Sequence, residues 1–153
     1  MKIIKVSFAI IIFTIFAVST IFAQQESVRK SHFNLNRGIA IKGFDPVTFF
    51  TKDAAIRANG TISHTYNGVK YFFSSSNSLN QFKTTPSKFE PQYGGWCAYN
   101  MSMDGKKIVS SPEYYVIKKG KLYFFDSQVS KEKWQKVEDI KNEADNYWSQ
   151  LFK

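Results

Sequence analysis

Residues 62–73 read Ile62-Ser63-His64-Thr65-Tyr66, then Asn67-Gly68, then Val69-Lys70-Tyr71-Phe72-Phe73. Two β-prone runs flank an Asn-Gly pair, one of the few dipeptides that accept the positive φ angles of a two-residue hairpin turn. That commits the middle of the chain to antiparallel pairing. A second stretch repeats the signal: Tyr114-Tyr115-Val116-Ile117, then Lys118-Lys119-Gly120, then Leu122-Tyr123-Phe124-Phe125. Between and around the hairpins the period changes. Ser74-Ser75-Ser76 can cap a helix from about Asn77 to Lys83, with Leu79 and Phe82 on one face and Thr85-Pro86 ending it. Asp45-Pro46 marks the start of a single helical turn closing near Thr51-Lys52-Asp53. From about Ser130, Trp134, Val137, Ile140, Ala144, Tyr147 or Trp148, and Leu151 recur at helical spacing and predict one amphipathic helix. Gly38 to Gly43 encloses a short apolar run that reads as a strand. The class is α+β: a small antiparallel sheet of hairpins with short helices and a C-terminal amphipathic helix. The sequence shows no internal repeat, low-complexity tract or second domain.

What can hold such a fold together is limited by its cysteine count. Cys97 is the only thiol in 153 residues, so no internal disulfide is available. Stability must come from burying aromatic side chains, of which there are 15 Phe, 8 Tyr and 3 Trp.

The first residues, Met1-Lys2-Ile3-Ile4-Lys5 followed by an uncharged run to Ala23 and the polar Gln24-Gln25-Glu26, have the layout of a secretory signal peptide. Residues 1–23 are therefore expected to be removed, with an uncleaved membrane anchor as the alternative. Residues 24–35 are polar and aperiodic, a loose lead-in, and 36–153 form the domain. The protein is then periplasmic or extracellular. Loss of Lys2 and Lys5 lowers the formal net charge from +9 to +7. The basic residues are scattered and interleaved with acids rather than gathered into a recognition motif, which argues against nucleic acid as a partner.

Few residues can carry chemistry. No Ser-His-Asp set, phosphate-binding glycine loop or paired-cysteine zinc spacing is present, and the only imidazoles are His32 and His64. Cys97 stands out because Gly94-Gly95 precede it, Trp96 and Tyr99 flank it, and Met101 and Met103 follow. A thiolate with thioether ligands favours reduced copper. A free cysteine is equally at home as a small buried hydrophobe.

Several blocks carry a resemblance. Gly38-Ile39-Ala40-Ile41-Lys42-Gly43-Phe44-Asp45-Pro46-Val47, Ser63-His64-Thr65-Tyr66-Asn67-Gly68, Phe82 with Pro86-Ser87-Lys88-Phe89, Pro91-Gln92-Tyr93-Gly94-Gly95-Trp96-Cys97-Ala98 and Gly120-Lys121-Leu122-Tyr123 resemble the exported branch of the YHS-domain family. The resemblance spans roughly residues 36–150. It implies a small α+β module related to the cysteine-rich TRASH metal-binding domains, found beside metal transporters. The TRASH cysteines are replaced here by the serines after Phe73 and by Asn77, which leaves Cys97 as the sole heir to a metal role.

Three readings follow. The first is an exported metal-handling module holding a soft ion, copper by preference, through Cys97 and His64 with Met101 or Met103. In it Cys97 lies close to His64 on the wall of a shallow pocket, and the partner is the metal ion together with a membrane metal transporter or another exported protein. The second is a non-metal module for a small ligand or a protein, with a structural Cys97 and a pocket of Trp96, Tyr99, Gly94, Gly95 and Asp45. The third is a thiol enzyme with Cys97 as nucleophile and His64 as base.

Overall fold

The structure, a computed structural model, describes residues 20–21, 23–52, 54–137 and 140–152. Helix α1 covers residues 23–32 and leads into β1 (Leu35–Asn36), β2 (Ile39–Ala40) and α2 (Thr48–Thr51). The first long hairpin is β3 (Ile62–Tyr66) with β4 (Val69–Phe73), followed by α3 (Ser76–Thr84), α4 (Pro86–Phe89) and α5 (Ala98–Asp104). The second hairpin is β5 (Ser111–Lys118) with β6 (Lys121–Phe125), followed by α6 (Gln128–Lys136) and α7 (Ile140–Gln150). The class is α+β. Most of the apolar opening read as a signal segment lies outside the described residues. Among the described residues no helix is long and apolar enough to cross a membrane.

Both hairpins form where the turn residues place them. Tyr66 pairs with Val69 across Asn67 (φ 45°) and Gly68 (φ 79°), and Lys118 pairs with Lys121 across Lys119 (φ 51°) and Gly120 (φ 70°). They do not share one antiparallel sheet. The first belongs to a four-stranded sheet in the order β1-β2-β4-β3, in which β2 meets β4 in parallel, and the second is a separate two-stranded sheet.

Three further expectations are corrected. The lead-in is not loose. Residues 23–32 are helical, and the Arg29 guanidinium donates to the carbonyls of Tyr66 (3.1 Å) and Asn67 (3.0 Å) and pairs with Glu90. A polar segment without hydrophobic period is held here by long-range hydrogen bonds, which periodicity does not report. The C-terminal helix is two helices. Val137, in extended conformation (φ −114°, ψ 114°) and largely exposed, ends α6 before α7 begins.

The third correction is the largest: the chain does contain an internal repeat. Residues 39–84 and 91–136 build the same unit at a constant separation of 52 positions (Gly43 to Gly95, Asp45 to Cys97, Gly68 to Gly120, Tyr71 to Tyr123). The parallel pair Ile39–Lys70 recurs as Pro91–Leu122, and the antiparallel bridge Phe44–Arg57 recurs as Trp96–Val109. Ser63 faces Phe72 as Tyr115 faces Phe124. Ser75 caps α3 by accepting from Ser78 N at 3.1 Å, and Ser127 caps α6 by accepting from Ser130 N at 3.2 Å. The ring of Phe82 lies 5.0 Å from Tyr71 and 5.2 Å from Phe73, while Trp134 lies 4.8 Å from Tyr123 and 5.3 Å from Phe125.

Even the unusual backbone repeats. Ile41, Lys42 and Gly43 have φ of 53°, 51° and 83°, and Tyr93, Gly94 and Gly95 have 54°, 57° and 84°. A left-handed turn containing a β-branched residue is costly and persists only where the surroundings dictate it.

The two units share a wall. In β6, Leu122 and Phe124 face a first core cluster with Val69, Tyr71, Phe73 and Phe82. The alternate residues Tyr123 and Phe125 face a second cluster with Cys97, Met101 and Trp134. The second unit's Phe124 is therefore covered by the first unit, its ring 5.1 Å from Phe49. The first unit's Phe72 has no such cover and stays half-buried.

Candidate functional site around Cys97

Cys97 follows the second left-handed turn and opens α5. Its N–H donates to the Ile108 carbonyl at 2.9 Å, and its carbonyl accepts from Met101 N at 3.0 Å. The thiol is fully buried and donates to Asp126 Oδ1 at 3.2 Å. Burial pushes its pKa from 9.0 to about 11, only partly opposed by backbone hydrogen bonds from Asn100 and Asp126, so the sulfur is protonated at neutral pH. At Asp126 burial acts to raise the pKa, yet hydrogen bonds from Ser130, Cys97 and Ser127 outweigh it and hold the carboxyl below its ordinary value.

The equivalent place in the first unit is Asp45, also fully buried. Its Oδ1 accepts from Val47 N at 3.0 Å. Its Oδ2 accepts from Ser74 N at 2.8 Å, Ser74 Oγ at 2.7 Å and Ser78 Oγ at 2.6 Å. Ser74 and Ser78 stand where the second unit has Asp126 and Ser130. Each unit thus ties the residue after its left-handed turn to the end of its hairpin and the first turn of its following helix. One unit uses Asp45 with two serines; the other uses Cys97 with Asp126. Four donors satisfy the buried Asp45 side chain.

The residues singled out from the sequence fall into separate places. Met101 is buried in the same cluster as Cys97, but Met103 is 55% exposed. His64 shares the inward face of β3 with Ile62 and Tyr66, as alternation predicts, and that face packs on the first cluster, with Phe82 6.4 Å from the imidazole. Burial, and then the charge of Lys83, lower the His64 pKa. In the second cluster the position equivalent to His64 is Val116, and the His64 ring itself packs on Phe82 of the first cluster. Among the described residues no group of three or more His, Cys, Asp and Glu is placed to hold a metal. Of the sulfur and imidazole candidates only Met101 shares the cluster of Cys97, and the thiol's hydrogen-bond partner is the Asp126 carboxylate.

The residues expected to form one pocket, Trp96, Tyr99, Gly94, Gly95 and Asp45, lie in separate places, Gly94 lining a cavity of about 210 Å³ with Phe33 and Trp148. Trp96 Nε1 donates to the His32 carbonyl at 2.6 Å, and the Lys133 ammonium lies 5.7 Å over the Tyr99 ring. Gly94 serves close approach, since a Cβ there would lie 2.8 Å from the Trp148 ring and 3.1 Å from Phe33 Cα. Asp45 is sealed inside its hydrogen-bond shell.

Sequence reasoning missed Asp126 and Ser130, the partners that define Cys97. The signal was the recurrence of Tyr-Phe-Phe, then Ser two residues later, then Ser three beyond, at Tyr71 and again at Tyr123. It also missed a cavity of about 280 Å³ at the uncovered face of the first unit, lined by Arg37, Lys42, Arg57, Asn59, Gly43 and Phe72 among others. No family model, curated protein or solved structure matches the chain.

Proposed function

We propose that this chain is an exported binding module for a small non-metal ligand, in which Cys97 is a structural residue. The observation that carries this reading is the hydrogen bond from Cys97 to Asp126, made at the place where the first unit joins Asp45 to Ser74 and Ser78. A thiol that does the work of a buried polar tie needs no metal and no substrate to account for it. The resemblance of the motif blocks to exported YHS-domain proteins supports the same class, a small module rather than an enzyme. Its export rests on residues 1–23, and intact mass of the exported protein is expected to begin at Gln24.

The metal reading keeps one supporting observation, the burial of Met101 in the same cluster as Cys97. Titration of the apo protein with reduced copper separates the two. We expect no tight equivalent that depends on Cys97, and the same isotherm from Cys97→Ser. One tight equivalent in the parent, lost in Cys97→Ser, would overturn the proposal in favour of a copper module.

A further inference from the structure

The repeat makes one recess twice, and the two copies have different fates. In the second unit Gly95, Ser110 and Phe124 line a space of only about 10 Å³. The chain's own Asn34 fills it, its side-chain amide donating to the Gly95 carbonyl at 3.0 Å and to Ser110 Oγ at 3.4 Å. In the first unit the equivalent residues Gly43, Ala58 and Phe72 line the open cavity of about 280 Å³. Nothing from the described chain plugs it.

Its lining is distinctive in charge. Arg37, Lys42 and Arg57 converge on it, no Asp or Glu lines it, and among the described residues none of the three cations has an ion pair. Asn36 and Asn59 also line it. Asn59 Oδ1 is already occupied by Thr61 N (3.1 Å) and Thr61 Oγ1 (2.8 Å), which leaves its NH₂ as the group free to donate. Two of the cations, Arg37 and Lys42, sit at φ 51°, a conformation that costs a non-glycine residue about 1 kcal/mol. At the place of Lys42 the second unit has Gly94. The second unit's turn carries no charge, whereas the first unit's holds Lys42, which lines the open cavity and also borders the plugged recess.

We infer that this cavity binds a phosphate monoester, the phosphate held by Arg37, Lys42 and Arg57 and its organic group resting on Phe72. Three cations without a carboxylate among them match a dianion, and guanidinium groups match its oxygen geometry. The half-buried ring offers an apolar surface to the group the phosphate carries. At about 280 Å³ the cavity lies just below the roughly 300–1,000 Å³ of drug-sized ligand sites, which suits a small ester. This assignment rests on the reading of the chain as a small-ligand module but involves neither Cys97 nor any residue of its cluster, so the copper titration and the one below fail independently.

The test is an amide chemical-shift titration of the full chain with phenyl phosphate and, separately, with inorganic phosphate. Phenyl phosphate is expected to saturate at one equivalent, with shifts centred on Lys42, Arg57, Asn59 and Phe72, and to bind about tenfold more tightly than inorganic phosphate. Arg57→Gln and Arg37→Gln are each expected to weaken both by about tenfold, one exposed charge-assisted contact. Phe72→Leu is expected to erase the preference for the phenyl ester while leaving inorganic phosphate binding within about twofold. Shifts that never saturate, that centre on the C-terminal lysines, or that persist unchanged in both arginine variants would overturn the assignment.

Discussion

The two halves of this molecule carry the same backbone, turn for turn, yet solve the same internal problem with different chemistry. After its left-handed turn each must anchor a residue to the end of a hairpin and the start of a helix. The first half does so with a buried carboxylate and four donors, the second with a thiol that gives one weak hydrogen bond to a carboxylate placed on the opposite side of the tie. The fold therefore demands a polar connection at this point but not a particular residue. On the reading proposed above, a cysteine that looked like a reactive or metal-binding group on its own is, beside its counterpart, a structural substitute for an aspartate.

The comparison predicts an asymmetry under mutation. Asp45→Ala removes the acceptor of four hydrogen bonds and leaves the buried Ser78 hydroxyl without it, so we expect a loss of about 4 kcal/mol. Cys97→Ala removes one weak donor and a small volume, and about 1–2 kcal/mol should be lost in denaturant unfolding. Equal losses would break the comparison. Gly94→Ala should cost about 3 kcal/mol. Its Cβ would press on Trp148 and on the backbone of Phe33, at φ 57°.

Alkaline pH sharpens the contrast further. The folded-state pKa of Cys97 is raised above 9.0 to about 11. The native state therefore holds its proton longer than the unfolded chain. The stability this contributes is complete below pH 9 and is lost as pH rises through about 11. We expect the parent to lose up to about 2 kcal/mol more than Cys97→Ser between those values, because the buried Tyr71, Tyr93 and Tyr123, whose pKa values are also raised, weaken both proteins alike.

The smallest effects separate the paired tyrosines. Tyr71 donates to Glu90 at 2.5 Å, and Tyr71→Phe should cost about 1–1.5 kcal/mol. Tyr123 occupies the same position in the second half, but among the described residues its buried hydroxyl has no partner. Tyr123→Phe should be neutral or slightly stabilising, as calorimetry of the two variants would show.

Much of this architecture was legible in the sequence, because local chemistry dictates it. Asn67-Gly68 and Lys119-Gly120 set both hairpin turns, and the serines after Phe73 capped the helix that follows. What escaped was non-local. The α1 segment lacks hydrophobic period and is held by Arg29 reaching the first hairpin and Glu90. The division of α6 from α7 turns on the backbone of Val137, a residue that fits the helical pattern. The repeat escaped because its halves share few identities, the longest run being the Tyr-Phe-Phe at Tyr71 and again at Tyr123. Cys97 was singled out correctly as unusual, but its meaning lay in Asp126, 29 positions along the chain, which no spacing rule connects to it.

The claim at the centre of this account is that the two ties are interchangeable solutions to one structural demand, and a transplant tests it directly. Asp45→Cys alone should destabilise the protein severely, and Ser74→Asp alone should place two carboxylates against each other. Together they recreate in the first half the arrangement of Cys97 and Asp126, with Ser78 already standing where Ser130 stands. Urea unfolding of the double variant should recover more than half of the stability lost by Asp45→Cys, a coupling of about 2 kcal/mol between the two sites. If the double variant is as unstable as the sum of its single changes, the two positions are not equivalent and the structural reading of Cys97 is contradicted.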